Sequence, residues 1–199
     1  MSFSDLLARR RMVRSFTGDP VDVDVVRPLC EEALRAPTAG NSAGVRLHIV
    51  SGDHVPGFFS VATDESWREQ SRRYPGLSRA GAAVLVSSRP QDYEARYRAP
   101  DKAASGLGTR DAWPLPYWHG DAAMATMALL LLLEEAGLGA TIWGAFRHAE
   151  EIAAWAGLDE ELLYASVLLG WPDGLDERSA SLARPVPSRA ERVSVVRPR

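Results

Sequence analysis

The spacing of hydrophobic and polar positions predicts most of the elements before composition is considered. Leu6 and Leu7 behind Ser4 predict a short helix over 4–10, with Ser4 as its N-cap. From about Asp24 to Arg35, Val25, Leu29 and Ala33 fall on one helical stripe that Val26, Cys30 and Leu34 widen. Pro28 fits there because the first turn has amide donors without intrahelical partners. Val45, Leu47 and Ile49 alternate with Arg46 and His48, the pattern of a half-buried strand. Ala82 to Ser87 and Tyr164 to Leu169 read as buried strands, Ala140 to Ile142 as a short one, and Val193 to Val196 as strand-like. His148 to Ala156 predicts a surface helix stopped by Gly157.

The run from Ala122 to Leu133 is apolar except for Thr126. It falls short of the ~20 residues that span a bilayer, so no membrane association is expected. It reads as a buried helix capped by Asp121 and stopped by Gly137. A helix apolar nearly all round must be covered on every side. In a 199-residue chain, a second copy is the simplest cover, so a homodimer is predicted. Three or four strands mixed with four or five helices, without regular βαβ alternation, place the chain in the α+β class. No repeat or linker divides it, so residues 1–199 are read as one domain.

Composition narrows the chemistry. With 46% hydrophobic and 25% charged residues the chain is expected to fold, burying roughly 70% of its unfolded surface. A net charge of −3 gives no general attraction to a phosphodiester backbone, so nucleic acid is not an expected partner. The single cysteine, Cys30, excludes an intrachain disulfide and a thiolate-rich zinc site, and suits a cytoplasmic setting. No apolar core follows the opening arginines, so no secretory signal is expected. Of 23 basic residues, 22 are arginine. The sole lysine, Lys102, lies in Ala-Pro-Asp-Lys-Ala-Ala, which leaves no phosphate-loop lysine and no promising Schiff-base lysine.

Several motifs carry candidate chemistry. Gly40-Asn41-Ser42-Ala43-Gly44 has the GxSxG spacing of a serine nucleophile. That motif works on a strand-to-helix turn, whereas here a helix precedes and a strand follows, so a serine hydrolase ranks far behind. The glycines from Gly137 to Gly144 follow a helix rather than opening one, and read as a cap and turn rather than a dinucleotide fingerprint. The four histidines show no ligand spacing, and no metal site is expected. Arg9-Arg10-Arg11-Met12-Val13-Arg14-Ser15-Phe16 is the strongest signal. Val13 and Phe16 among the charges imply a segment held against the core, and arginines fixed there form a forked site suited to a phosphate monoester.

Arg10 to Phe16 resembles the RRxxRxF opening of the nitroreductase family of FMN-dependent oxidoreductases, and Arg35 to Ser42 resembles its Ala-Pro-Ser/Thr-x-x-Asn turn. Asp121 to Gly144 is similar to the family's central helix and Gly-Leu-Gly loop, Leu168 to Pro172 to its leucine-glycine-aromatic-proline strand end, and Ala183-Arg184-Pro185 to its late arginine. The resemblance implies an α/β sandwich with a mostly antiparallel central sheet, dimeric through the central helices, with exchanged C-terminal arms and two FMN sites at the interface. It implies that Arg10, Arg11, Met12, Arg14 and Arg184 hold the FMN phosphate and nearby polar atoms. Pro37, Thr38, Ala39 and Asn41 would approach the flavin from the partner subunit, and Ile142, Trp143 and Gly144 would lie at its N5 edge. NAD(P)H would be the donor and a small nitro, quinone or enone compound the acceptor, with no catalytic side chain required. Two alternatives stay open: a flavin or phosphorylated-ligand binder without turnover, and an oxygen-using flavin dehydrogenase of a biosynthetic pathway.

Two departures stand out. The family commonly continues Gln-Pro-Trp after Asn41-Ser42, where this chain has Ala43-Gly44-Val45. The stretch 52–118 is rich in arginine and aromatics and reads as an insertion, or as a lid that selects an anionic or aromatic substrate or a deazaflavin. Within it, Arg89 to Pro116 holds four prolines and little periodicity.

Overall fold

A computed structural model describes residues 2–177 and 179–196. Residue 178 and residues 197–199, part of the arm predicted to exchange, lie outside the described residues. Helix α1 (Phe3–Arg9) starts earlier than expected. Its cap is Ser2 rather than Ser4: the Ser2 hydroxyl accepts the Asp5 amide at 3.2 Å, and the Asp5 carboxylate accepts the Ser2 amide at 3.0 Å. Asp22 caps α2 (Val23–Ala33) by accepting the Asp24 amide at 2.9 Å, so Pro28 is the sixth residue of the helix and lies in its interior, not in the first turn.

Four strands form one antiparallel sheet: β1 (Val45–Ser51), β2 (Ala82–Ser88), β3 (Gly139–Gly144) and β4 (Leu162–Gly170), in the order β1-β2-β4-β3. Val84 of β2 pairs with Ile49 on one side and Val167 on the other, with a bulge at Val86/Ser87. β2 is buried throughout, which explains why it reads as a continuous apolar run. Because it lies inside 52–118, that stretch is in part core; only the section after β2 stands apart. Val193–Val196 forms no strand, and its valines are exposed.

Alternation along β2 sends Val84 and Val86 to one face, Ala83 and Leu85 to the other. The first face packs against α7 (Tyr117–Glu135) and α2, through Leu129, Leu130 and Leu133. Burial of such leucines contributes about 1.5–3 kcal/mol each. The second face is covered by α3 (His54–Ala62) and α8 (Ala149–Ala156), with Phe58 and Phe59 central. Short helices α4 (Glu65–Gln70) and α5 (Tyr74–Leu77) lead into β2, and α6 (Pro90–Arg98) follows it. No helix among the described residues is long and apolar enough to cross a membrane.

Helix α7 begins at Tyr117, so Asp121 is an interior residue and not the N-cap. Its carboxylate is buried and used for tertiary contacts. The exposed side of α7 carries Tyr117, Gly120, Met124 and Met127, a stripe at helical spacing that the sheet and α2 do not reach.

Gly81, just ahead of β2, sits where its amide donates to Leu169 and its carbonyl accepts from Val21. A Cβ there would lie 2.5 Å from the Asp19 carbonyl oxygen and 2.8 Å from Val21. Gly81→Ala is therefore expected to destabilise the fold by about 1–3 kcal/mol, seen as a lower urea midpoint at unchanged slope.

Candidate functional site

The segment after α1 is held in place by the sheet. Val13 donates its amide to the Ala140 carbonyl of β3 at 2.9 Å, Thr17 donates to Trp171 at 2.9 Å, and Phe16, fully buried, bridges to Pro172. Met12 packs into the α7 side of the core. The arginines between these anchors turn outward and, with Pro172, Gly174 and the Ser179–Leu182 turn, line a cavity of about 750 Å³. Arg10, Arg11, Met12 and Arg14 are all in that lining. Arg184 is not, and its side chain is exposed in the tail.

The charge balance of the cavity is informative. Among the described residues, Arg10, Arg11 and Arg14 form no ion pair, while Arg46, Arg79, Arg89, Arg96 and Arg110 each have one. Among the described residues the side chains of Arg11 and Arg14 donate to backbone carbonyls, of Ala8 and Arg10 and of Met12 respectively. Arg10 Nη1 is buried with no hydrogen-bond partner. A second cavity of about 430 Å³ adjoins the first at Arg14 and adds Arg72, Arg73 and Arg79. Burial first, and the nearby Arg73 guanidinium second, hold Arg14 below the usual guanidinium range, with Asp176 acting in the opposite sense. Asp176 and Glu177 also line both cavities, so carboxylates balance the arginines only in part, and guanidiniums crowded in this way favour an anion.

Part of that demand is met by the chain itself. Asp176 accepts the Arg14 amide at 3.2 Å, and Asp173 ties Ser15 and Arg79 together, each at 2.7 Å. Hydrogen bonds from the Ser15 hydroxyl and then the Leu175 amide hold the Asp173 carboxyl below its ordinary range, with Arg79 adding a smaller pull. None of these tail contacts, nor Arg72, Arg73 and Arg79 as neighbours of Arg14, could be read from spacing, because each joins positions at least 58 residues apart.

β3 is an edge strand, bonded to β4 on one side. Because Ala140 accepts from Val13, it points its backbone groups outward, and by strand alternation Ile142 and Gly144 do so as well. The outward amides are thus those of Ile142 and Gly144, while Trp143 faces β4 and buries its ring among Phe58, Phe59 and Trp67.

Pro37, Thr38, Ala39 and Asn41 lie elsewhere. Ala39 donates its amide to Asp121 Oδ2 at 2.8 Å, near the start of α7, whereas Arg9 pairs with Glu134 near its end at 3.4 Å. Thirteen residues of helix place those two positions about 20 Å apart. Within one chain, the arginine segment and the 37–41 turn are at opposite ends of α7. The turn is strained: Asn41 and Ala43 have φ of 55° and 51°, beside Gly40 at 63°. Each such non-glycine residue costs about 1–3 kcal/mol, the kind of strain that collects at functional sites. Ser42 Oγ is buried beside the Tyr93 hydroxyl, and among the described residues no histidine or carboxylate bonds to it, which leaves the serine-nucleophile reading without a base. Among the described residues no group of His, Cys, Asp and Glu could hold a metal ion.

An antiparallel sheet sandwiched between helices, with an arginine-lined cavity on the segment bonded to its edge strand, defines an α+β protein. The chain belongs to the Nitroreductase family, which it matches over residues 7–171. It is similar to a protein named NADH dehydrogenase from Thermus thermophilus, 28% identical over 184 residues, covering 82% of this chain and 83% of that one. Its structure is similar to nitroreductase CinD of Lactococcus lactis solved with nicotinic acid, at a TM-score of 0.76 and 21% identity over 98% of this chain and 100% of the other. It is also similar to a putative nitroreductase from Desulfovibrio desulfuricans solved with FMN, at a TM-score of 0.63 and 20% identity over 92% and 97% of the two chains.

The lowered Asp173 carboxyl fixes the sign of one pH effect. Its contribution to holding the tail is present above the unfolded value near ~3.9 and is lost as pH falls through its lower folded value. In a carboxyl-detected NMR titration, Asp173 should titrate below the ordinary aspartate range, and Ser15→Ala should move it back up.

Proposed function

We propose that the protein is a dimeric FMN-dependent NAD(P)H oxidoreductase that passes reducing equivalents to a small organic acceptor. The observation that carries this reading is the set of arginines without an ion pair among the described residues, 10, 11 and 14, lining a 750 Å³ cavity on the segment that Val13 ties to the edge strand β3. The donor set fits a phosphate monoester: forked guanidiniums, one with a buried unpartnered nitrogen, and the hydroxyls of Ser179 and Ser181. Arg10, Arg11 and Arg14 would hold the phosphate, with Arg184 joining only if the tail moves or comes from a second copy. Asp176 would yield its place on the Arg14 amide as the phosphate binds. Ile142 and Gly144 would offer their amides to the ring edge. FMN, when bound, supplies the hydride chemistry; the protein supplies binding, orientation and water exclusion. The FMN in the Desulfovibrio structure and the name of the Thermus relative both favour this cofactor and donor.

Two observations support the dimer. The Tyr117-Gly120-Met124-Met127 stripe leaves one side of the long central helix uncovered, with Met124 42% exposed. The tail valines 186, 193, 195 and 196 are 72–84% exposed and find no groove in their own subunit, as expected of arms that exchange. A dimer would also bring a second chain's 37–41 turn toward the arginine cavity, which one chain cannot do across ~20 Å. The stretch after β2 is proposed as a lid. A cytoplasmic setting suits Cys30, which is buried and whose thiol is pushed up to about 11, chiefly by burial.

Anaerobic addition of NADPH and then NADH to the FMN-loaded protein tests the activity. Bleaching of the flavin spectrum is the expected result; a spectrum that resists both donors would leave the non-turnover or oxygen-using readings. Arg14→Ala should weaken FMN binding by about tenfold or more, the ~1.5–3 kcal/mol of a charge-assisted contact. Met124→Glu should convert the dimer to monomer in sedimentation velocity.

A further inference from the structure

The segment after β2 is fastened to the strained turn by a specific set of contacts. Tyr93 of α6 is fully buried, and its hydroxyl donates to Asp121 Oδ2 at 2.8 Å, the same oxygen that accepts the Ala39 amide at 2.8 Å. Arg96, one turn further on, donates Nε to the Gly40 carbonyl at 2.8 Å while its two terminal nitrogens clasp Asp101 at 2.8 and 2.6 Å. Arg89 donates its amide to the Gly44 carbonyl at 2.8 Å.

The sequence of the turn is fitted to these partners. A Cβ on Gly40 would lie 2.7 Å from the Tyr97 ring, and one on Gly44 would lie 2.3 Å from the ring of Tyr93. Ala43-Gly44 thus makes room for an aromatic ring from α6, in the chain position where the family commonly has Gln-Pro-Trp. Tyr97, Trp113 and Trp118 complete the packing, with Tyr97 and Trp113 edge to face at 4.7 Å. Left-handed backbone at Gly40, Asn41 and Ala43 persists only if its surroundings over-determine it, and these contacts are those surroundings.

We propose that Tyr93 and Asp121 are positioning residues of the flavin site: one shared carboxylate oxygen locks the lid helix α6 and the 38–43 turn together, so the lid sets the shape that the turn presents to the cofactor. This rests on the FMN reading above. It assigns the arginine- and aromatic-rich segment a role in shaping the cofactor site from a distance, without contact to the reacting atoms.

The test compares wild type with Tyr93→Phe, Asp121→Ala and Asp121→Asn, using amide hydrogen exchange at residues 39–43, FMN affinity by fluorescence, and affinity for inorganic phosphate. Tyr93→Phe and Asp121→Ala should speed exchange in the turn and weaken FMN binding, each roughly tenfold, as expected for loss of a bond to a carboxylate. Asp121→Asn, whose amide carbonyl can accept both bonds, should restore most of each effect. Phosphate affinity should stay unchanged, because the arginines lie at the other end of α7. Faster exchange with unaltered FMN affinity would overturn the proposal, as would exchange that does not change. Equal weakening of FMN and phosphate would reduce the pair to general stability and overturn it too. A wild type that binds phosphate but no FMN would overturn the flavin reading itself, a result distinct from all of these.

Discussion

Everything in this molecule is arranged around one helix that cannot be left in water. From Ala122 to Leu133, α7 has apolar side chains in almost every direction, and the sheet, α2 and α1 cover as much of it as one chain can. The order β1-β2-β4-β3 puts the two most apolar strands, β2 and β4, in the middle where α7 crosses them. The remaining methionine stripe is the part of that constraint one chain leaves unmet. Because α7 also carries Asp121 near one end and pairs with Arg9 near the other, it sets the spacing between the 37–41 turn and the arginine segment.

A single buried carboxylate in such a helix would be expensive without partners. Asp121 is tolerated because a backbone amide and a phenol both donate to it. The same burial, with Asp121 beside it, pushes the Tyr93 phenol far above its ordinary range, so it stays a proton donor at any physiological pH. An apolar helix thus contains one fixed polar point, and that point organises a loop and a neighbouring helix which otherwise touch the core little.

How far the sequence could be read depended on whether the deciding contact was local. β1, the buried β2 and β4, and the helix stops at Gly137 and Gly157 all follow from periodicity or backbone geometry within a few residues. Val13 and Phe16, by contrast, are marked as anchored by their apolar side chains alone, with partners, Ala140 and Pro172, far along the chain. Asp121 was misleading for a physical reason: a carboxylate ahead of an apolar run is the usual mark of a helix start. Here the helix extends one turn further, through Tyr117-Trp118-His119-Gly120, where Trp118 packs against Tyr93 and Trp113. Likewise the arginines of 52–118 looked alike in sequence. Arg96, Arg98 and Arg110 form pairs within their own segment, while Arg72, Arg73 and Arg79 line the second cavity, which meets the N-terminal one at Arg14. Only the folded chain separates them, and Arg184 shows the reverse case, where order along the chain does not bring a residue to the cavity.

The bond from Val13 to Ala140 has a second meaning. An edge strand with free amides is a template on which another chain can add itself, and proteins guard such borders with charge or cover. In this sheet, the guard on β3 is the same short stretch that carries Arg10, Arg11 and Arg14. The arginine cavity and the guard against self-association therefore share one selvage of the sheet: a change that loosens this stretch would bare an adhesive border as well as reshape the cavity, so the segment is constrained by solubility even before any ligand is considered.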